Sequence, residues 1–578
     1  MPPLTDQEYT SILPEIPHPS DPFIQRYLSG RAALKQEEQK QRSDALFKQS
    51  LSPIAKQACA IVERIRQHEK RTVWTDEVEE NMAREGSTGA VFPGMMFSLA
   101  KELMEGTELW GIVRKMPKGG LLHAHLDAMV DVEWLGGRVL SEERMHISAG
   151  GRLVTEKERE ETSVSIRYRK QADAEGKAIW TDGYEADRWV SLQDAADAFP
   201  GGRGKFLEWF KSRCVLSRED AVLQHHGQAE IWRKFARCFE VLGTFIHYEP
   251  IWRDFLRRLM SLLVADGVYW VELRFTWPLN YCRAGSETPE SDYNHMFQVI
   301  EEELAAFKAT DEGKAFWGLR MIWTTLRSFD TRAVIENMDN CIATKLAWPH
   351  LVAGYDLVGP EDAGRPLADL LPELFWFRKQ CAIEGVEIPF FFHAGETLED
   401  GGETDDNLFD ALLLGTRRIG HGFSLYKHPR LIEAVRDKRI LIESCPISNE
   451  ILRLTGSIMH HPLPALLARG VPCALCNDDP ALLGQDTAGM THDFWQALQG
   501  WDNLGLAGLG SLAENSVRWA VFEDQDSETW VNDIRAASVG AGIKAKRLQQ
   551  WAVEWEKFCL WIVTEYGEKY GENTDGDF

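Results

Sequence analysis

Eight short apolar runs, separated by longer helical or loop segments, limit what this chain can fold into more than any other feature of its sequence. Each run has the length of a strand and is rich in β-branched or aromatic residues. The eight runs are GGLLHAHLD (119–127), GVYWVELRFTW (267–277), FWGLRMIWTTL (316–326), LVAGYDLVG (351–359), EIPFFFHAGE (387–396), RRIGHGF (417–423), RILIESCPIS (439–448) and VPCALCNDDP (471–480). Eight strands that alternate with helices predict an α/β fold of the (β/α)8 TIM barrel class.

Residues 1–115, before the first run, are predicted to form an N-terminal extension. This extension has no motif of its own. Proline punctuates residues 1–30, which are therefore expected to form an arm. Apolar residues then recur at helical spacing over residues 32–69 and 93–116. These helices carry no chemistry and cannot close a core alone, so they are predicted to pack against a second copy of the chain in a homodimer.

The predicted barrel spans residues 116–565 and carries one large insertion. Residues 128–266, between the first two strands, are far too many for one helix. Their polar stretch 138–205 predicts an inserted subdomain over the barrel mouth. Helical spacing follows residue 480, and residues 566–578 are expected to form an acidic tail.

Charge and composition argue against several classes of protein. The 64 Lys and Arg residues against 89 Asp and Glu residues give 64 − 89 = −25, which disfavours a nucleic-acid partner. No run approaches the roughly 18 apolar residues of a membrane span. The N-terminus lacks the basic and apolar regions of a signal peptide, and no N-x-S/T acceptor occurs. Ten scattered cysteines suggest no disulfide framework, so a cytoplasmic location is predicted.

Residues capable of metal chemistry fall at the carboxyl ends of the predicted strands, where barrel active sites are built. His123 and His125 end the first strand two residues apart, on one face. His393 ends the fifth strand, and Asp478 ends the eighth. A lone histidine near a strand is more often an ordinary core or surface residue. Three histidines and an aspartate that converge over one barrel mouth predict a metal site, and this nitrogen and oxygen set suits Zn²⁺.

Three further residues accompany the predicted metal site. Glu396, in HAGE, and His421, in GHG, are the acid and base that a hydrolytic attack requires. Asp479 follows the metal-binding Asp478 and is expected to face the substrate, although a double Asp before Pro480 also suits a turn or cap.

The motifs HAHLDA, HAGET, RIGHGF, SCPISN and CNDDP, in this order, resemble the adenosine and AMP deaminase superfamily. The long extension, the phrase MPKGGLLHAH, the insertion and the WVELRF strand resemble its adenosine deaminase-related growth factor branch. The resemblance covers residues from about 30 to 565. It implies a barrel with one zinc ion per chain that hydrolyses the 6-amino group of adenosine or 2′-deoxyadenosine, giving inosine or 2′-deoxyinosine and ammonia.

The resemblance also implies a role for each matching residue. His123, His125, His393 and Asp478 match the zinc ligands. Glu396 matches the acid that protonates purine N1, and His421 matches the residue that orients and deprotonates the attacking water. The positions expected to contact the rest of the nucleoside are Asp479 at purine N7, Gly359 at N3 through its backbone N–H, and Asp127 at the ribose.

The chain departs from the growth-factor branch at three places. That branch has an Asp directly after the second metal histidine, whereas this chain has Leu126 and then Asp127. Pro360 follows Gly359, where the branch often has a polar residue, so the ribose end of the pocket differs. Branch members that are secreted carry a signal peptide and a disulfide in the insertion, but residues 138–205 contain no cysteine.

Three other functions are compatible with parts of the sequence. Deamination of AMP or an N6-substituted 6-aminopurine needs a cation at the ribose end, for which the candidates are Arg203, Lys205, Arg417 and Arg418. A binuclear hydrolase acting on a phosphoester, lactone or amide commonly has a bridging lysine at the fourth strand end, and LVAGYDLVG has none. An inactive growth-factor-like binding module would need no catalytic residues, yet every expected type is present.

Overall fold

The computed structural model describes residues 3–84, 91–222, 227–277 and 280–571. Each of the eight predicted runs contains one strand of the barrel. These strands are β1 (Gly119–His125), β5 (Val268–Thr276), β6 (Gly318–Leu326), β7 (Val352–Val358), β8 (His393–Ala394), β9 (Arg418–His421), β10 (Leu441–Ser444) and β11 (Cys473–Leu475). The predicted (β/α)8 barrel is confirmed.

The barrel consists of two four-stranded parallel sheets joined at two seams. One sheet has the order β1-β5-β6-β7, and the other has the order β11-β10-β9-β8. A parallel bridge between Tyr355 and Phe390 joins β7 to the segment before β8. A second bridge, between Ala124 and Asp478, joins β1 to the segment after β11. The strands therefore close into a ring, which places their carboxyl ends around one mouth.

Helices lie between successive barrel strands, as a parallel sheet requires. From β5 to β11 these helices are α15 (Asn294–Lys308), α16 (Thr331–Ala347), α17 (Leu371–Glu384), α18 (Asn407–Leu413), α19 (Pro429–Asp437), α20 (Pro446–Ile451) and α21 (Leu463–Ala468). After β11 the chain is helical, in α22 (Gly489–Gly500), α23 (Gly505–Arg518), α24 (Ser527–Ala536) and α25 (Ile543–Tyr570). None of the helices in the described ranges is long and apolar enough to cross a membrane.

The N-terminal extension is helical from near its start. Its helices are α1 (Asp6–Ile12), α2 (Pro22–Gln41), α3 (Ala45–Ser50), α4 (Pro53–Thr72), α5 (Asp76–Arg84), α6 (Phe97–Glu105) and α7 (Glu108–Lys115). Residues 1–30 were expected to form an arm, yet they contain α1 and the first half of α2. Local capping explains the difference, because Thr5 and Glu8 form a capping box and Asp21 caps α2 ahead of Pro22.

The first two helices of the extension are much less buried than α4. Helices α1 and α2 bury none of their residues. In contrast, α4 buries Ala55, Ala58, Ile61 and Ile65 and packs against α25. Near the end of α25, Lys569 pairs with Glu108, and Arg64 donates to the carbonyl of Tyr570. The first residues of the expected tail, 566–570, are thus helical, and residues 572–578 lie outside the described chain.

The insertion has its own small sheet between β1 and β5. Strands β2 (Met145–Ala149), β3 (Val164–Tyr168) and β4 (Val190–Ser191) form an antiparallel sheet in the order β3-β2-β4. Glu287, in the loop that follows β5, accepts a hydrogen bond from the backbone of Lys170, so the insertion contacts the mouth side of the barrel. In the described part of this region, seven α-helices accompany the sheet: α8 (Val132–Ser141), α9 (Glu156–Glu161), α10 (Leu192–Asp197), α11 (Gly202–Cys214), α12 (Arg218–Val222), α13 (Gly227–Leu242) and α14 (Glu249–Ala265).

Glu450 joins the extension to the barrel. It lies at the end of α20, is fully buried, and accepts a hydrogen bond from the backbone N–H of Phe97 at 2.6 Å. This contact satisfies one of the free donors at the start of α6. Burial raises the pKa of Glu450 from 4.5 to about 8. The folded protein therefore keeps Glu450 protonated at pH values where the unfolded chain releases the proton.

We predict that Glu450→Gln stabilises the protein at pH 8 but not at pH 4.5. Because the folded-state pKa is the higher one, wild-type stability falls as pH rises from about 4.5 to about 8. The substitution removes this loss of stability. The free energy of unfolding of the variant at pH 8 should therefore exceed that of the wild type by at least about 1 kcal/mol. Denaturant unfolding at both pH values measures this, with the exposed Glu77→Gln as control. Equal stabilities at pH 8 would contradict the assignment.

Candidate active site at the carboxyl ends of the strands

The structure brings the four predicted metal ligands together at the barrel mouth. The Nε2 atoms of His123 and His125 each lie 3.2 Å from Oδ1 of Asp478. The rings of His123 and His393 have centroids 4.5 Å apart. The seam between β1 and β11 creates this meeting, because His125 N donates to Asp478 O at 3.0 Å and Asp478 N donates to His123 O at 3.2 Å.

Two buried atoms at this point have no hydrogen-bond partner. They are Nε2 of His123 and Oδ1 of Asp478, and a buried polar atom without a partner is costly. The ligand atoms of His123, His393, His421 and Asp478 all lie within 4.8 Å of one another, and His125 forms a second such group with Asp478 and Asp479. Imidazole nitrogens and a carboxylate oxygen that face one another in this way fit a bound metal ion.

Two buried carboxylates contact two of the predicted ligand histidines on the side away from the cluster. Oε2 of Glu443 lies 2.8 Å from Nδ1 of His123, and Oδ2 of Asp356 lies 2.7 Å from Nδ1 of His393. These contacts leave Nε2 of each ring available to a metal, as is usual for metal-binding histidines. Neither residue was predicted from the sequence. A charged residue inside an otherwise apolar strand, as in LIES and GYDLVG, was the feature that could have indicated them.

The backbone around the site is strained and tightly packed. His421 and Asp478 have φ angles of 60° and 59°, which residues other than glycine rarely adopt. Gly420 precedes His421 and lies against the ring of His123. A Cβ atom on Gly420 would be 2.8 Å from Cε1 of His123. Only glycine therefore leaves room for the observed position of the His123 ring.

The structure brings Glu396 and His421, the predicted acid and base, next to each other. Oε1 of Glu396 is 3.5 Å from Nδ1 of His421, is buried, and has no hydrogen-bond partner. Burial, reinforced by the nearby charge of Asp478, raises the pKa of Glu396 well above its ordinary value. Burial holds the pKa of His421 well below 6.5. Both shifts favour the neutral form of the side chain, so the geometry suits a pair in which one member gives a proton and the other takes one.

Three residues absent from the predictions hold this pair and Asp478 in place. Asn449 Nδ2 lies 3.1 Å from Nδ1 of His421, and Ser448 donates to Oδ2 of Asp478 at 2.7 Å. Glu361 accepts from the backbone N–H of Glu396 at 2.6 Å. Ser448 and Asn449 belong to the SCPISN motif, and Glu361 follows Pro360. The motifs pointed to these segments without assigning the residues a role.

The three predicted substrate residues also lie at the mouth. Oδ1 of Asp127 and Oδ1 of Asp479 are buried without a hydrogen-bond partner. Burial raises the pKa of Asp127 to about 7 and, together with the charge of Asp478, raises that of Asp479 well above 3.8. Gly359 follows β7 with a φ of 100°, a conformation that favours glycine. All three positions offer polar groups to a ligand beside the histidine cluster.

Comparison with known proteins identifies the family. The model of the adenosine deaminase family matches residues 216–537. The chain belongs to the adenosine deaminase family. Adenosine deaminase 2 of Sus scrofa is 31% identical over 459 residues, covering 78% of this chain and 85% of the relative. Adenosine deaminase 2 of Homo sapiens is 29% identical over 475 residues, covering 82% of this chain and 84% of the relative.

Membership of the adenosine deaminase family confirms the predicted resemblance and makes the chain a hydrolytic deaminase. The alternative of an inactive binding module is thereby disfavoured. Among solved structures, the N6-mAMP deaminase of arabidopsis aligns with 74% of this chain and 99% of its own, at 16% identity and a TM-score of 0.47.

We predict that Gly420→Ala weakens metal binding. The added methyl group would displace the His123 ring from its position against Asp478, so affinity should fall by about tenfold or more. Competition of the metal-free variant with a chromophoric chelator measures this affinity. Gly204→Ala is the matched control, because a Cβ atom there meets nothing within 4 Å. An unchanged affinity in Gly420→Ala would contradict the packing argument.

Proposed function

We propose that this adenosine deaminase family member converts adenosine and 2′-deoxyadenosine to inosine and 2′-deoxyinosine, releasing ammonia, with one zinc ion per chain. The observation that carries the proposal is a set of buried side-chain atoms without partners at the barrel mouth. His123 Nε2, Asp478 Oδ1, Glu396 Oε1 and Asp479 Oδ1 all belong to it. Such a set is expected where a metal ion and a polar substrate complete the hydrogen bonding.

The proposed zinc ligands are His123, His125, His393 and Asp478. Their nitrogen and oxygen donors suit zinc, and the carboxylates behind His123 and His393 fix the ring orientation. When bound, zinc supplies a Lewis acid that makes water acidic enough to act as a nucleophile near neutral pH.

Glu396 and His421 carry the proton transfers in the proposed reaction. His421 is neutral and accepts a proton from the water that attacks purine C6. Glu396 holds a proton and donates it to N1, so that the ring accepts the added oxygen at C6 without building up negative charge. The proton held by His421 then passes to the amino group, the C6–N bond breaks and ammonia leaves. The C6 hydroxyl returns a proton to Glu396, which leaves the C6 carbonyl of inosine and restores both side chains. The two side chains are close enough to act on neighbouring ring atoms.

The remaining site residues are proposed to orient the nucleoside. Asp479 and Asp127 each present an unpartnered carboxyl oxygen, which suits contacts to N7 and to a ribose hydroxyl. The backbone N–H of Gly359 is the proposed partner of N3. Pro360 has no N–H, so the following position cannot add a second backbone donor there.

Charge pairing supports a nucleoside over a nucleotide. Each basic residue considered for phosphate binding already has an acidic partner: Arg203 with Asp197 (2.8 Å), Lys205 with Glu208 (2.6 Å), Arg417 with Glu387 (3.0 Å) and Arg418 with Glu272 (2.6 Å). Arg417 and Arg418 also lie at the start of β9, opposite to the end that carries His421. AMP or an N6-substituted 6-aminopurine is the alternative substrate.

We predict that Glu396→Gln lowers kcat by about two to four powers of ten and leaves zinc binding intact. Glutamine keeps the size of the side chain but cannot donate the proton that N1 requires. The decrease in adenosine absorbance gives the rate, and metal analysis gives the zinc content. The exposed Glu403→Gln on the same loop is the control. Full activity of Glu396→Gln would refute the assigned acid.

We further propose that the enzyme is a homodimer joined through α1 and α2. Both helices bury no residue, and α2 exposes Phe23 by 73% and Tyr27 by 65%. A helix that buries no apolar face is only weakly stabilised, because helical stability in proteins comes mostly from a packed apolar face. A second copy of the extension would supply that packing.

Replacement of both aromatic residues, Phe23→Asp with Tyr27→Asp, should convert the dimer to a monomer while activity is retained. Light scattering at micromolar concentration measures the mass. Phe375→Asp on α17 is the control, since Phe375 is 58% exposed and lies outside the extension. A monomeric wild type would overturn the proposal.

Our proposal of a cytoplasmic location is supported by the thiols. The described residues include all ten cysteines, every one is free, and eight are buried. Free thiols in this number suit a reducing compartment.

A further inference from the structure

One arginine lies between the two carboxylates that orient the ligand histidines. Arg274, on β5, is fully buried. Its Nε donates to Oδ2 of Asp356 at 2.7 Å, and its Nη2 donates to Oε2 of Glu443 at 2.7 Å. These are the same two oxygens that contact Nδ1 of His393 and of His123. A single guanidinium thus joins the supports of two metal ligands.

The same guanidinium also fixes the backbone of both ligand strands. Its Nη1 donates to the carbonyl of Leu122 at 2.9 Å, directly before His123. Its Nη2 donates to the carbonyl of Phe391 at 3.2 Å, two residues before His393. β1 and β8 belong to different sheets of the barrel, so Arg274 crosses the interior to connect them. The planar fork of arginine allows this geometry, whereas the single ammonium of lysine does not.

In the described part of the chain, the neighbouring buried arginine, Arg418, does not make the same connection. Arg418 contacts Glu443 as well, but through the other oxygen, Oε1, and its remaining carboxylate partner is Glu272. Within the described ranges, Arg274 is the only side chain that bonds to both Asp356 and Glu443. Two buried anions behind neighbouring ligands would repel each other without a cation between them.

We propose that Arg274 is a positioning residue that sets the affinity and geometry of the metal site by holding Asp356 and Glu443, and through them His393 and His123, in one rigid unit. This inference rests on the metal site of the proposed function. Arg274 contacts neither the ligand atoms nor the substrate residues directly. Its effect is therefore expected on metal binding first and on the catalysed reaction as a consequence.

The test compares Arg274→Lys with Arg320→Lys. Arg320 is also a buried strand arginine, on β6, and it donates to Asp524 and to the carbonyls of Pro349 and Val352 far from any ligand histidine. Lysine keeps the charge in both variants but cannot bridge two carboxylates. Both substitutions should lower the melting temperature of the metal-free protein, so the control accounts for the general cost of losing a buried guanidinium.

Zinc affinity separates the two variants. Each metal-free protein is titrated with zinc in competition with a chromophoric chelator. Arg274→Lys should bind zinc about 10- to 100-fold more weakly than the wild type, whereas Arg320→Lys should bind it as the wild type does. Wild-type affinity in Arg274→Lys, or an equal loss in Arg320→Lys, would overturn the proposal. A wild type that binds no zinc would instead refute the metal site itself, so the two failures are distinguishable.

A second set of variants applies if Arg274→Lys does not fold. Asp356→Asn and Glu443→Gln are made singly and together, and zinc affinity is measured in the same way. Because one guanidinium joins the two carboxylates, the fold-loss in the double variant should be smaller than the product of the two single losses. A loss equal to that product would show that the two supports act independently and would contradict the role of Arg274.

Discussion

Two backbone hydrogen bonds between the first and last barrel strands hold the site together. His125 donates to the carbonyl of Asp478, and Asp478 donates to the carbonyl of His123. These residues are far apart in the sequence and meet only because the eight strands close into a ring. Closure places two histidines against the carboxylate that completes the proposed ligand set. The left-handed backbone of Asp478 is maintained by this pairing and by the contact from Ser448.

A buried network of charges extends from this closure into the barrel interior. Asp356, Arg274, Glu443, Arg418 and Glu272 follow one another through direct ion pairs, and each is fully buried. Burial of charge is costly, and alternation of sign with full hydrogen bonding offsets that cost. The network reaches His123 through Glu443 and His393 through Asp356, so it connects the core of the barrel to the proposed metal site. In our proposal, the chemistry at the mouth depends on these buried charges as well as on the residues that face the substrate.

The sequence predicted the barrel and the catalytic residue types but not their supports. Eight apolar runs located all eight strands, since burial on both faces gives a parallel strand a continuous apolar pattern. The strand ends located His123, His125, His393 and Asp478. In contrast, the partners of Asp356 and Glu443 depend on which strands face each other across the barrel, and spacing along the chain does not encode that. Capping at Thr5 and Asp21 was visible in the sequence, but the prolines nearby favoured an arm.

The most direct test of the proposed reaction is the ultraviolet absorbance of the purified protein with adenosine, 2′-deoxyadenosine and AMP in parallel, with and without a chelator. We expect conversion of both nucleosides, loss of that activity with the chelator, recovery on addition of zinc, and no conversion of AMP. Conversion of AMP alone would contradict the proposed substrate class. Turnover that is insensitive to complete removal of the metal would contradict the role assigned to the histidine cluster.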